Sequence, residues 1–188
     1  MPKDKIALQG EDSFKAEMFK EFSDTIEDNA LYVATTGSDS NAGTIDKPFA
    51  TVQKALDTVK AGQTIYVRGG TYNALNSFKT SGSEGKYITL RNYPNETPFL
   101  TCTTGTNGAI LLLNGCNYIK IYGLEIGGHS AEQAYGILIN DCENHIIISN
   151  NHIHNLLTTK PGENENGEAN GILLFGEGKT DETSINNI

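Results

Sequence analysis

The sequence predicts an all-β fold, a right-handed parallel β-helix closed at its N-terminal end by an α-helical cap, and three observations predict it. The segment GAILLLNGCNYIKIYGLEIGG (108–128) lies over YGILINDCENHIIISNNHIHN (135–155) at an offset of 27, which puts Ile119, Ile121 and Ile126 on Ile146, Ile148 and Ile153. Asn and Ile are in excess together: 19 Asn, 13 of them after residue 106, and 18 Ile. Between residues 51 and 60, ahead of the repeats, the apolar residues follow helical rather than strand spacing.

The 188 residues carry a formal net charge of −9. Only Arg68 and Arg91 are arginines, so there is no basic stripe for a nucleic-acid backbone. No apolar run is long enough to span a membrane. The N-terminus, MPKDKIALQGEDSFK, has no hydrophobic core of a signal peptide. Cys102, Cys116 and Cys142 follow no CxxC spacing and read as buried free thiols, with a Cys116–Cys142 bridge as the alternative.

Along the chain, residues 1–30 form a polar segment and an amphipathic helix. Phe14, Met18, Phe22 and Ile26 make one stripe, Ser13 is a candidate N-cap, and the stripe suits packing on the domain or on a partner. The β-helix domain is expected over 31–188. Leu31 to Ala34 reads as a strand and Gly37 to Gly43 as a turn cluster. A cap helix follows at about 49–61, with Thr51 as N-cap, Val52, Ala55, Leu56 and Val59 as its apolar face and Gly62 as its stop. Coils begin near residue 63. Ile65 and Val67 face one way in the first, as do Ile88 and Leu90 in the next.

Each repeat shows two short apolar runs separated by turn residues, too short for helices. Such a coil cannot bury its Ile row alone, whereas coils stacked about 4.8 Å apart bury a continuous column. In-register stacking aligns Ile110 with Ile137, Leu112 with Ile139, and Asn117 with Asn144 at a turn, where Asn tolerates the left-handed backbone. A third copy starts at NGILLF (170–175), 35 residues after the second. Parallel crossovers fix the right hand. The Thr51–Lys60 helix is suited to plug the open end of the column. About four coils fit, and the last breaks off at Ile188, so the reading is of a solenoid truncated at its C-terminus.

The motifs GSDSNAGT, KPFATVQKA and GQTIYVRGGTY within residues 31–72, with the later YITLRNYP and GLEI, resemble the N-terminal cap region of right-handed β-helix carbohydrate-active proteins. The resemblance is nearest to family 9 polysaccharide (pectate) lyases within the wider pectin-lyase-like group. It implies calcium-assisted β-elimination on a uronic-acid polymer such as pectate, with a lysine as base. An acidic polysaccharide is then the partner, the place of work is outside the cell or on its surface, and the chain is expected to be a monomer.

The loop PGENENGEANG (161–171) sits where the resemblance places the calcium ligands, which makes Glu163, Glu165 and Glu168 the candidate metal residues. The chain departs from the family pattern twice. The family loop is richer in Asp, and Phe175 stands near the expected place of the lysine. Lys160 and Lys179 flank the segment without matching that place, so the catalytic base is left unassigned.

From the residues themselves, Arg91 is a candidate for bidentate binding of a uronate carboxylate. His129, with Glu132 and Tyr135, is expected in a loop lining a groove. His152 and His154 share one side of a strand and suit either a transition metal or an outward-facing surface pair, while His145 lies in the same repeat. Asn95-Glu96-Thr97 is a glycosylation sequon. The rival functions are a non-catalytic carbohydrate-binding or surface-adhesin module, and an inverting hydrolase or C5-epimerase. Hydrolysis needs paired carboxylates, and Asp141 and Glu143 find no such pair on the next coil.

Overall fold

The computed structural model describes residues 27–142, 145–160 and 167–176. The helix expected over 13–28, apart from its last two residues, lies outside the described residues, as do Asn144, Glu163, Glu165 and Lys179.

Among the described residues the chain winds through four coils of three strands each. The first holds β2 (Thr64–Val67), β3 (Gly70–Asn73) and β4 (Asn76–Phe78). The second holds β5 (Ile88–Asn92), β6 (Pro98–Thr101) and β7 (Gly108–Asn114). The third holds β8 (Ile119–Tyr122), β9 (Glu125–Ala131) and β10 (Gln133–Asn140), and the fourth β11 (Ile146–Ser149), β12 (His152–Thr158) and β13 (Glu168–Phe175). A further strand, β1 (Leu31–Val33), extends the first sheet. The stacks form three wholly parallel sheets, β1-β2-β5-β8-β11, β3-β6-β9-β12 and β4-β7-β10-β13. Parallel pairing of every strand with its counterpart one coil away is a parallel β-helix.

Columns of like residues hold it together. Leu31, Ile65, Leu90, Ile121 and Ile148 are stacked in register inside the first sheet. Leu100, Ile126 and Ile153 do the same in the second, and Leu111, Ile137 and Ile172 in the third. Most of these side chains have no exposure at all, and burying each contributes about 1.5–3 kcal/mol.

The cap helix α1 spans Val52–Thr58. Thr51 caps it, its hydroxyl accepting from the Lys54 N–H at 3.2 Å. The Asp39 carboxylate in turn accepts from the Thr51 hydroxyl and from the N–H groups of Ala50 and Thr51. Val52, Ala55, Leu56 and Val59 are buried in the same core cluster as Ile65 and Phe78, so the helix covers the N-terminal end of the column. It stops before Gly62, because Val59 is already extended.

Two sequence expectations are corrected. Each coil has three strands, not two. The third was hidden because β9, EIGGHSA, interrupts its apolar alternation with Gly127 and Gly128. The repeat is not gapless: β7 pairs with β10 at an offset of 26, Leu111 on Ile137 and Leu113 on Ile139, whereas β8 and β9 pair onward at 27. The segment between β10 and β11 therefore carries one residue more than that between β7 and β8. An asparagine pair is found at Asn114 and Asn140, where the Asn140 Nδ2 donates to the Asn114 Oδ1 at 2.7 Å; the pairing expected between Asn117 and Asn144 lies outside the described residues. Of the two cysteine readings, the structure has the free one: all three thiols are buried and unbridged.

Candidate functional site

The outer face of the second sheet brings chemistry-bearing side chains together across three coils. In β6, β9 and β12 the residues Leu100, Ile126 and Ile153 point inward, so period-two alternation turns Phe99, Glu125, His152 and His154 outward. His152 lies directly opposite Glu125, and His154 opposite Gly127. A Cβ on Gly127 would strike the His154 main-chain carbonyl oxygen before reaching its Nδ1 at 3.3 Å, so the absent side chain lets β9 and β12 approach closely here.

The His154 ring is held on two sides. It stacks on Phe99, centroids 5.8 Å apart and planes at 9°, and its Nε2 is 3.0 Å from the Glu125 Oε1. The His152 ring stacks against it in turn at 4.5 Å. Ligand atoms of Glu125, His152 and His154 all lie within 4.8 Å of one another. His152 is exposed, while Glu125 and His154 are half-buried. This arrangement can orient a base or gather a metal ion.

The other candidates are placed differently. Arg91 is buried rather than available at a surface, its guanidinium between Tyr66 (5.6 Å) and Tyr122 (5.1 Å) on the first sheet. His129 belongs to strand β9 and not to a loop. It is wholly buried, with Nδ1 2.9 Å from the Cys102 carbonyl oxygen and Nε2 3.1 Å from that of Gly108. The structure thus corrects where these two residues sit, buried between coils rather than at an open surface or in a loop. His145 stacks on Tyr118 at 4.4 Å.

Of the expected metal set only Glu168 is described. It is exposed at the start of β13, and its Oε2 accepts from the Tyr135 hydroxyl at 2.9 Å. Burial first, and this carboxylate second, push the Tyr135 phenol up to about 12. Lys160 pairs with Glu132 at 2.9 Å, and its hydrogen bond holds the Glu132 carboxyl below the usual range. Phe175 is 58% exposed at the end of β13.

Sequence reasoning singled out His152 and His154 but missed Glu125. The signal was there, since an offset that sets Ile126 on Ile153 also sets Glu125 on His152 and Gly127 on His154.

Residues 31–187 match the family described as Pel9A-like, right-handed β-helix region. The chain belongs to the Pel9A-like right-handed β-helix family. The match also supplies the hand that the strand order leaves open. Among curated relatives, the chain is 37% identical over 145 residues to the uncharacterized protein YwoF of Bacillus subtilis (73% of this chain, 31% of that one). It is 30% identical over 162 residues to the pectate lyase PEL9 of Emericella nidulans (78% of this chain, 36% of that one). Among solved structures, the GH136 lacto-N-biosidase from Eubacterium ramulus is similar at a TM-score of 0.58 and 19% identity (79% of this chain, 30% of that one), a likeness of fold. The chain spans about a third of the length of the curated relatives it matches. No helix among the described residues is long and apolar enough to cross a membrane.

Proposed function

We propose that this chain is part of a polysaccharide lyase, cutting a uronic-acid-containing polysaccharide such as pectate by calcium-assisted β-elimination outside the cell or at its surface. The observation that carries the reading is the 30% identity to a pectate lyase over 78% of the chain, on a fold whose flat outer sheet faces suit an extended polymer. In the reaction a base takes the proton beside the uronate carboxylate. The glycosidic C–O bond at the neighbouring carbon then breaks, leaving a double bond and adding no water.

Calcium takes hard oxygen ligands. Glu168, an exposed carboxylate with one oxygen already oriented by Tyr135, suits such an ion, and with Glu163 and Glu165 of the same segment it would hold it. The cluster of Glu125, His152 and His154 does not suit calcium, because two of its three donors are imidazole nitrogens. Bound at Glu168, calcium would neutralise the substrate carboxylate and acidify the adjacent C–H. Tyr135 keeps the Glu168 carboxylate aimed, and the Lys160–Glu132 pair anchors the strand that leads into the loop.

The test is the ultraviolet absorbance of unsaturated product when the chain meets polygalacturonate with calcium. Product formation lost with EDTA, and weakened in Glu168→Gln, supports the proposal. No product from any uronan overturns it. One observation favours a second reading, a non-catalytic carbohydrate-binding module: the exposed Phe175 ring near the place of the expected lysine. That reading predicts glycan binding without turnover.

A further inference from the structure

We propose that Glu125, His152 and His154 form a binding site for a borderline divalent transition metal such as zinc, spanning the third and fourth coils and made of residues other than the candidate calcium ligands. The donor set is two imidazoles and one carboxylate, a combination that favours zinc, nickel or copper over calcium or magnesium. The three ligand atoms already converge within 4.8 Å. Two ligands at about 2.0–2.2 Å from one tetrahedral zinc ion stand roughly 3.3–3.6 Å apart. The His154 Nε2 and Glu125 Oε1, 3.0 Å apart, need only move a few tenths of an ångström apart to reach that separation.

The support around the site is of the kind that metal ligands need. Phe99 from the second coil fixes the plane of the His154 ring. Gly127 lets the His154 backbone pass close by. Register fixes the third member, since His152 is the direct partner of Glu125 across the β9–β12 pair. Only a small rotation of the stacked His152 ring, which is exposed and free to turn about its side-chain torsions, brings its nitrogen to the same point. Three protein ligands leave a coordination position open to solvent on the outer face, where a water or a carboxylate of an acidic ligand can bind. The ion would also tie β12 to β9, pinning the fourth coil to the third.

The experiment is calorimetric titration of the 188-residue chain with zinc chloride, followed by the visible absorption of the cobalt form. The expected result is about one zinc per chain, not displaced by excess calcium, with a higher melting temperature for the loaded chain. His152→Ala and Glu125→Gln each weaken zinc binding at least about tenfold and abolish the cobalt bands. His145→Ala, on the first sheet, leaves both unchanged. His152 is exposed, so its removal spares the core. Should that variant misfold, Glu125→Gln carries the test alone. The proposal is overturned if the wild-type chain takes up no zinc, if zinc binding persists undiminished in either cluster variant, or if it depends on His145.

Discussion

Leu112 and Leu113 are neighbours in one strand, yet the fold assigns them opposite fates, and truncating each to alanine measures the register. Leu113 has no exposure and is stacked between Phe78 and Ile139 in the interior. Leu112 is half-buried, between Ser77 and Leu138 on the outer face. Leucine-to-alanine changes in a packed core cost about 2–5 kcal/mol, because lost transfer energy and a residual cavity add. Leu113→Ala is thus expected to cost about 3 kcal/mol. At about 2–4 °C per kcal/mol for a chain of this size, the melting temperature falls roughly 6–12 °C. Leu112→Ala is expected to cost about 1 kcal/mol or less. Thermal unfolding followed by far-ultraviolet circular dichroism, checked by urea midpoints, separates the two. If Leu112→Ala proves as costly as Leu113→Ala, the 26-residue offset is wrong. The gapless 27-residue alignment, which puts Leu112 inside, would then stand, since a one-residue slip exchanges the faces of a strand.

Three further outcomes are expected. Arg68 donates from Nε and Nη2 to Glu96, and the Gly69 N–H donates to it as well, so the Glu96 carboxyl is held below its usual range. A lowered folded value gives stability that is present above the ordinary glutamate range and lost as pH falls through the folded value. Both side chains are about a third exposed, so Glu96→Gln should cost only about 1 kcal/mol near neutrality, a difference that closes in acid unfolding curves. Tyr72 and Tyr135 are both pushed up to about 12, Tyr72 chiefly by burial and Tyr135 by burial and then Glu168. A raised phenol contributes stability below its ordinary value, lost as pH rises towards 12; ultraviolet titration should find Tyr72 and Tyr135 among the late tyrosines, and one fewer late tyrosine in Tyr135→Phe. Gly123 has a φ of 69°, and a Cβ there would strike the Asn92 side chain, whose Nδ2 donates to the Glu96 carbonyl. Gly123→Ala should therefore cost at least about 1–2 kcal/mol, read from the same melts.

The parts of the fold legible in the sequence are those with a single physical cause. Isoleucine every second residue fixes an inward face, so the columns through Ile121 and Ile126 could be read before any coordinates. Thr51 was legible as a cap because a hydroxyl one residue before a helical apolar face has few other uses. The β7 register was not legible. In Ile110-Leu111-Leu112-Leu113 every residue is apolar, so an alignment of 26 looks as good as one of 27. The third strand of each coil escaped because Gly127, Gly128, His129 and Ser130 blur its alternation, although His129 is buried with each ring nitrogen close to a carbonyl oxygen. Arg91 was misread for a related reason. A lone arginine after a strand suggests a surface, and only the neighbouring coils reveal Tyr66 and Tyr122 closing over it. The histidine cluster was half legible. His152 and His154 share a face by parity, but Glu125 joins them only through pairing across a coil.

The central claim is that the polysaccharide is cleaved by elimination, and the mass of the products tests it most directly. Oligosaccharides released from polygalacturonate in the presence of calcium should each be lighter by one water than the products of hydrolysis, with the deficit in the unsaturated end sugar. Products of full hydrolytic mass would contradict the account and move the chain among the glycoside hydrolases that share its fold.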